Sequence, residues 1–154
     1  MLKRTTVFAL LLTLLLVLGG CTSKLKSAPA PEIADKVLEG IAFEDELMEV
    51  DGRVVEEYYG IELSNVKEYA VYMSASGATA EEIAIFQASS EDAAKKIEEA
   101  LASRVNDLKI GFENYVPAEM TKLGNAVIIR NGSTAMLVIA NDHEAARGIV
   151  KDYK

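Results

Sequence analysis

The chain has 154 residues, half of them hydrophobic, with sixteen Lys and Arg set against twenty-four Asp and Glu for a formal net charge of −8. That length suits one domain with a real core. An acidic balance of this strength argues against nucleic acid as a partner and against lying flat on an anionic membrane. One cysteine and one histidine leave no material for a disulfide, a Zn–Cys or His-rich metal site, or a Cys–His nucleophile.

The chain opens with Lys3 and Arg4, and an apolar run from Val7 to Leu18, broken only by Thr13, follows. It falls short of the ~18–20 residues a helix needs to cross a bilayer and matches the core of a signal peptide. Gly19 and Gly20 lead into Cys21. The stretch "LGGC" resembles the lipobox of bacterial lipoproteins. That resemblance implies cleavage between Gly20 and Cys21 and a diacylglycerol thioether on Cys21, a thiol being the most nucleophilic side chain for such alkylation. Residues 1–20 are then a signal peptide, and losing Lys3 and Arg4 with them takes the charge to −10. Two acyl chains hold a protein firmly where one holds it marginally. The expected location is the extracytoplasmic face of the cell membrane, with diacylglycerol on Cys21 as the membrane partner.

Residues 21–30, "CTSKLKSAPA", read as a flexible tether that holds the folded part away from the bilayer. Lys24 and Lys26 could each gain on the order of 1 kcal/mol from anionic headgroups. A single globular domain is expected over 31–154. Pro31 suits the first turn of a helix, with Ile33, Ala34, Val37, Leu38 and Ile41 on its inner face and Gly40 near its end. The acidic "FEDELMEVDG" reads as a solvated loop. Setting Gly52 at the sixth position of a calcium loop puts Leu47 at the first, so the register fails. Asp51 is placed to cap a helix with Val54, Val55 and Tyr58 inward, closed by Gly60.

From Glu68 the period changes to two. Strands are expected at 68–74 and 82–88, followed by a long helix over 91–109, capped by Ser89 or Ser90. Its stripe is Ala94, Ile97, Ala100, Leu101, Val105 and Leu108. Tyr115 is extended and enters a short helix at Pro117, closed by Gly124. Strands at 125–130 and 134–140 are joined through Asn131-Gly132, a strong hairpin signal. A last helix begins after Asn141, with Glu144 three residues on as in a capping box. Residues 68–109 and 126–153 thus share a strand-strand-helix order. The expectation is an α+β fold with a four-stranded, mainly antiparallel sheet and helices packed on it. The long and last helices should share one face, with Ile97, Leu101, Val105 and Leu108 against Ile85, Ile128 and Val138. The two N-terminal helices should cover the other.

No G-x-S-x-G, P-loop or dinucleotide glycine pattern occurs. His143 falls in the first turn of the last helix, where capping neighbours and solvent explain it. No cofactor, metal ligand or catalytic residue is assigned. Two charges interrupt apolar patterns: Glu82 at the head of a strand, and Arg104 beside the stripe of the long helix. If they meet, they form a buried or half-buried ion pair between sheet and helix. Tyr115 in its loop is a candidate binding anchor.

"AEEIAIF", the arginine in "ALASRVNDL" and "NYVP" resemble a family of uncharacterised bacterial lipoproteins, common in Gram-positive anaerobes and classed as a domain of unknown function. The resemblance covers about residues 32–150. It implies that Glu82, Ile83, Phe86, Arg104, Tyr115 and Pro117 are family positions, and it supplies no activity. The expected function is a non-enzymatic binding or interaction module of the cell envelope, whose partner is an envelope protein, a peptide or a wall ligand. The alternative is an envelope hydrolase or transferase working through carboxylates, marked by two acids at catalytic separation in a cleft.

Overall fold

The computed structural model describes residues 24–154. Gly20 and Cys21, with the signal peptide, lie outside the described residues. Among the described residues no helix is long and apolar enough to cross a membrane.

The fold is α+β with one antiparallel sheet. Its elements run α1 (Ala30–Gly40), β1 (Leu47–Glu49), α2 (Gly52–Tyr59), β2 (Val66–Ser74), β3 (Glu82–Ala88), α3 (Glu91–Phe112), α4 (Met120–Gly124), β4 (Val127–Asn131), β5 (Thr134–Ile139) and α5 (His143–Val150). Short 3-10 turns at Leu63–Asn65 and Pro117–Glu119 precede β2 and α4. The sheet has five strands in the order β1-β2-β3-β5-β4, not the four expected. The fifth is β1, inside the acidic segment read as a loop. Leu47, Met48 and Glu49 pair with Ser74, Met73 and Tyr72 at the edge of β2. Three residues show no measurable period, and a short charged strand is how an edge resists further pairing.

Local chemistry explains most element ends. The Asp51 side chain accepts the Val54 amide at the start of α2, and Gly60 closes that helix at φ 63°. Ser90 caps α3 through the Ala93 amide. The cap of α5 is Asp142, which accepts from the Ala145 amide, and not Asn141, whose amide donates to Glu44. The hairpin turn sits one residue later than expected. Asn131 still pairs with Thr134, and Gly132 carries the positive φ of 59°. The Asn131 side chain donates instead to the Lys151 and Tyr153 carbonyls, at 3.2 and 2.7 Å.

Both faces of the sheet are covered. On one lie α1 and α5 over Ala70, Ile83, Ile85, Met136 and Val138. On the other lie α2 and α3 over Val71, Ala84, Phe86, Leu137 and Ile139. The long and last helices therefore sit on opposite faces, each with one N-terminal helix. Ile97, Leu101 and Val105 are buried as expected, and Ile128 is packed beside them, but Ile85 and Val138 belong to the other core. The reason is that β3 and β5 are apolar on both sides, so no polar face in the sequence marks where a helix must go. On α2 the inward residues are Val55 and Tyr59, while Tyr58 is half exposed.

The domain also begins earlier than residue 31. Lys26 bridges in parallel to Tyr153, its amide donating to the Asp152 carbonyl at 2.6 Å and its carbonyl accepting the Lys154 amide at 2.9 Å. The Gln87 side chain holds the Ala28 carbonyl at 2.6 Å, and Glu68 accepts the Ala30 amide at 2.8 Å. Ala28 and Ala30 are buried. Residues 26–30 are part of the fold, not of a flexible tether.

Candidate functional site

Two adjacent acids are both almost wholly buried, Glu81 just before β3 and Glu82 at its first position. Successive side chains of a strand point to opposite faces, so each meets a different set of partners. Carboxylates buried this deeply require charge and hydrogen-bond compensation.

Glu82 meets α2 and α3. Its Oε2 lies 2.8 Å from Arg104 Nη2, and Arg104 Nε reaches both of its oxygens at 3.3 and 3.2 Å. The Tyr59 hydroxyl donates to Oε1 at 2.6 Å. The Arg104 guanidinium lies over the rings of Tyr58 and Tyr59, 5.0 and 5.6 Å from their centroids. Phe86, four residues along β3 on the same face, touches Tyr59 edge-on and stacks with Tyr69. Burial, followed by the charge of Glu82 and the bond to it, pushes the Tyr59 hydroxyl well above the usual tyrosine range. Burial pulls Arg104 down, but its contact with Glu82 outweighs this and leaves it raised.

Glu81 points into a second cluster. Its carboxylate accepts the Glu44 and Asp45 amides at 2.9 to 3.1 Å. The Lys122 ammonium stands among Glu44, Glu119 and Glu81, at 3.1, 3.1 and 3.5 Å. The Lys122 side chain is 4% exposed, and no contact has the angles of a hydrogen bond, so charge holds it there. Burial lowers the Lys122 pKa, and the carboxylates more than offset that and raise it. Glu119 closes the cluster by accepting the Ala80 amide at 2.8 Å. Nearby, hydrogen bonds from Ser74 and Ser76 hold Asp45 at a pKa of about 2.

Between these clusters and the β2–β3 loop lies a cavity of about 300 Å³. Tyr58, Met73, Thr79, Arg104, Leu108 and Phe112 are among its walls. Glu82 occupies Nε and one side of Nη2, and among the described residues nothing accepts from Nη1 of Arg104. Larger depressions, of about 360 Å³ beside Gly60 and Lys96 and about 450 Å³ between α1 and α5, have no buried charge in their walls. Of these three, the Arg104 cavity is the one with buried charge in its walls: apolar side chains and two aromatic rings, Tyr58 and Phe112, beside Ser74, Thr79, Glu81 and a guanidinium already neutralised by Glu82.

Of the candidate residues, Glu82 and Arg104 are brought together. Phe86 supports them, and Ile83 lies in the opposite core. Tyr115 is 75% exposed and is not among the cavity's lining residues. Pro117, also exposed, opens the turn that delivers Glu119 and Lys122 to the second cluster. His143 starts α5 with Nε2 3.6 Å from Glu144. Tyr59, Glu81, Glu119 and Lys122 were not singled out by the sequence, and Tyr58 was read only as an inward packing residue. The usable signal was the doubled acid "EE" at the head of an apolar strand, which requires two sets of buried partners.

A family model, the domain of unknown function DUF4358, matches residues 41–140. The chain belongs to that family. No curated protein and no solved structure matches it. The DUF4358 match spans all five strands, both acid clusters and the Arg104 cavity. It leaves out α1 and α5, the two helices that cover the opposite face.

Proposed function

We propose that this DUF4358 protein is a lipid-anchored, extracytoplasmic binding module, held in the membrane through diacylglycerol on Cys21, and that its ligand enters the Arg104 cavity. The observation that carries the reading is the spent charge of the site. Arg104 is paired with Glu82, Lys122 is surrounded by three acids, and the cavity between them is walled by Tyr58, Met73, Leu108 and Phe112. A neutralised guanidinium with open Nη1 hydrogens suits a neutral acceptor, such as an amide carbonyl or hydroxyl, better than an anion. The apolar walls suit a compact apolar group beside it, as in a peptide or a wall component carrying one. The carboxylate hydrolase reading needs an acid free to exchange a proton with a substrate. Glu82 and Glu81 each hold several donors instead.

Two measurements test the proposal. Metabolic labelling with an alkynyl fatty acid marks the wild type and spares Cys21→Ser; labelling of both overturns the anchor. A benzophenone amino acid at Tyr58, half exposed on the cavity rim, gives discrete cross-linked products in the native envelope. The same probe at Lys95, on the outer face of α3, does not. Equal products from the two sites overturn the cavity.

A further inference from the structure

The N-terminal segment leaves the fold at the end of the sheet opposite the Arg104 cavity. Lys26 is pinned beside Asp152 and Lys154, next to the last residues of β3 and β4, through Gln87 and Asn131. Glu82 and the β2–β3 loop stand at the other end of the same strands. The anchor end also differs in charge. Lys24, Lys26, Lys151 and Lys154 are all exposed there, with Asp152 and the Lys36–Glu39 pair beside them, on a chain that is otherwise strongly acidic. Leu25, between two of these lysines, is 40% exposed. Glu91 and Asp92, in the first turn of α3, stand at this same end but over the other face of the sheet, with Glu91 beside the Gly132 turn.

Chain length adds a mechanical constraint. From Cys21 to Lys26 the chain can span at most about 17 Å even when fully extended. The seven residues of β3 alone span about 23 Å. An inverted domain, with its cavity end on the bilayer, would hold Lys26 farther from the membrane than the anchor can reach.

We infer that the lysine-rich end, with Leu25, docks on the anionic headgroup surface of the bilayer and holds the domain upright, the Arg104 cavity facing away from the membrane. This rests on the anchor reading above. The net acidity of the whole domain does not oppose it, because at about 0.1 M salt a charge acts over only ~10 Å, and the acids of the far end lie beyond that range. The lysines set the orientation, and the short anchor arm limits what it can be.

The test uses the lipidated protein in vesicles. Because Cys21 carries the lipid, an introduced cysteine is the only free thiol. Ser133→Cys, at the hairpin tip near Lys26, and Ala78→Cys, in the exposed β2–β3 loop, are each labelled with a donor fluorophore. Energy transfer is read to an acceptor on the lipid headgroups. With phosphatidylglycerol present, transfer is severalfold stronger from position 133 than from 78. The difference shrinks in pure phosphatidylcholine, at about 1 M salt where screening shortens to ~3 Å, and in the Lys24→Gln, Lys26→Gln, Lys151→Gln, Lys154→Gln variant. Equal transfer from the two positions with phosphatidylglycerol overturns the inference, as does a difference that ignores salt, lipid and all four substitutions. The protein's mass separates the two readings. A missing diacylglyceryl group sinks the anchor and this inference with it, whereas equal transfer from lipidated protein sinks only the docking.

Discussion

Glu82 is 2% exposed, and Arg104 and Tyr59 are the groups that face its carboxylate. Breaking a buried pair costs more than replacing it. Arg104→Met leaves the carboxylate uncompensated, and urea melts should show a loss of about 3–5 kcal/mol. Arg104→Met combined with Glu82→Met should recover much of that loss, since two apolar side chains fill the space without a stranded charge. If the double variant is as unstable as the single one, the pair does more than neutralise itself. Tyr59 gives a second, pH-dependent prediction. Its folded pKa lies well above the ordinary 10.0 because the ring is buried beside Glu82. Its contribution is therefore fully present below about pH 10 and is lost as pH rises beyond that, when the unfolded chain ionises and the fold resists. Between about pH 9 and pH 11 the urea midpoint of the wild type should fall more steeply than that of Tyr59→Phe. Parallel curves would mean that Tyr59 titrates freely.

At the scale of elements, what could be read in advance and what could not divide along a physical line. The caps at Asp51, Gly60 and Ser90 depend on residues three or four apart, and they were legible. Glu82 and Arg104 were legible as charges set in apolar patterns, but their meeting stood in the sequence only as a condition, and the pairing itself is read from the structure. The Lys122 cluster was not: its partners are as distant as Glu44 and Glu81, and a five-residue helix has no period to place a lysine inward. Nor was the face on which each helix packs, because Ile83 and Ala84, or Met136 and Leu137, are equally apolar to either side. Leu101→Ala should cost about 2–5 kcal/mol and Lys95→Ala little. The assigned faces predict coupling as well. Leu101→Ala should be non-additive with Leu137→Ala, in its own core, and additive with Met136→Ala, across the sheet. The reverse pattern in a double-mutant cycle would put α3 on the wrong face.

At the scale of the whole molecule, the composition of residues 21–30 gave no sign that half of them are structural. Small residues and alternating Ala-Pro are what a tether has, but they are also what allows a chain to lie flat against a surface, and here Ala28 and Ala30 are buried. The DUF4358 span begins later still, at residue 41. Where the folding unit starts is therefore a question of energy. A chain beginning at Ala30 loses the Lys26 bonds to Asp152 and Lys154, the Gln87 bond to Ala28 and the Pro29 carbonyl that accepts the Ile33 amide. At ~0.5–1.5 kcal/mol for each of these four bonds, the loss should come to about 2–6 kcal/mol. It should also free the end of the chain, since Tyr153 packs in the same core as Ala28. Urea melts of 24–154 and 30–154 decide it, with hydrogen exchange at the Tyr153 and Lys154 amides as the local reading. A lower midpoint and faster exchange in the shorter chain are expected. Equal midpoints would return residues 24–29 to the tether, and with them the length of arm on which the upright orientation depends.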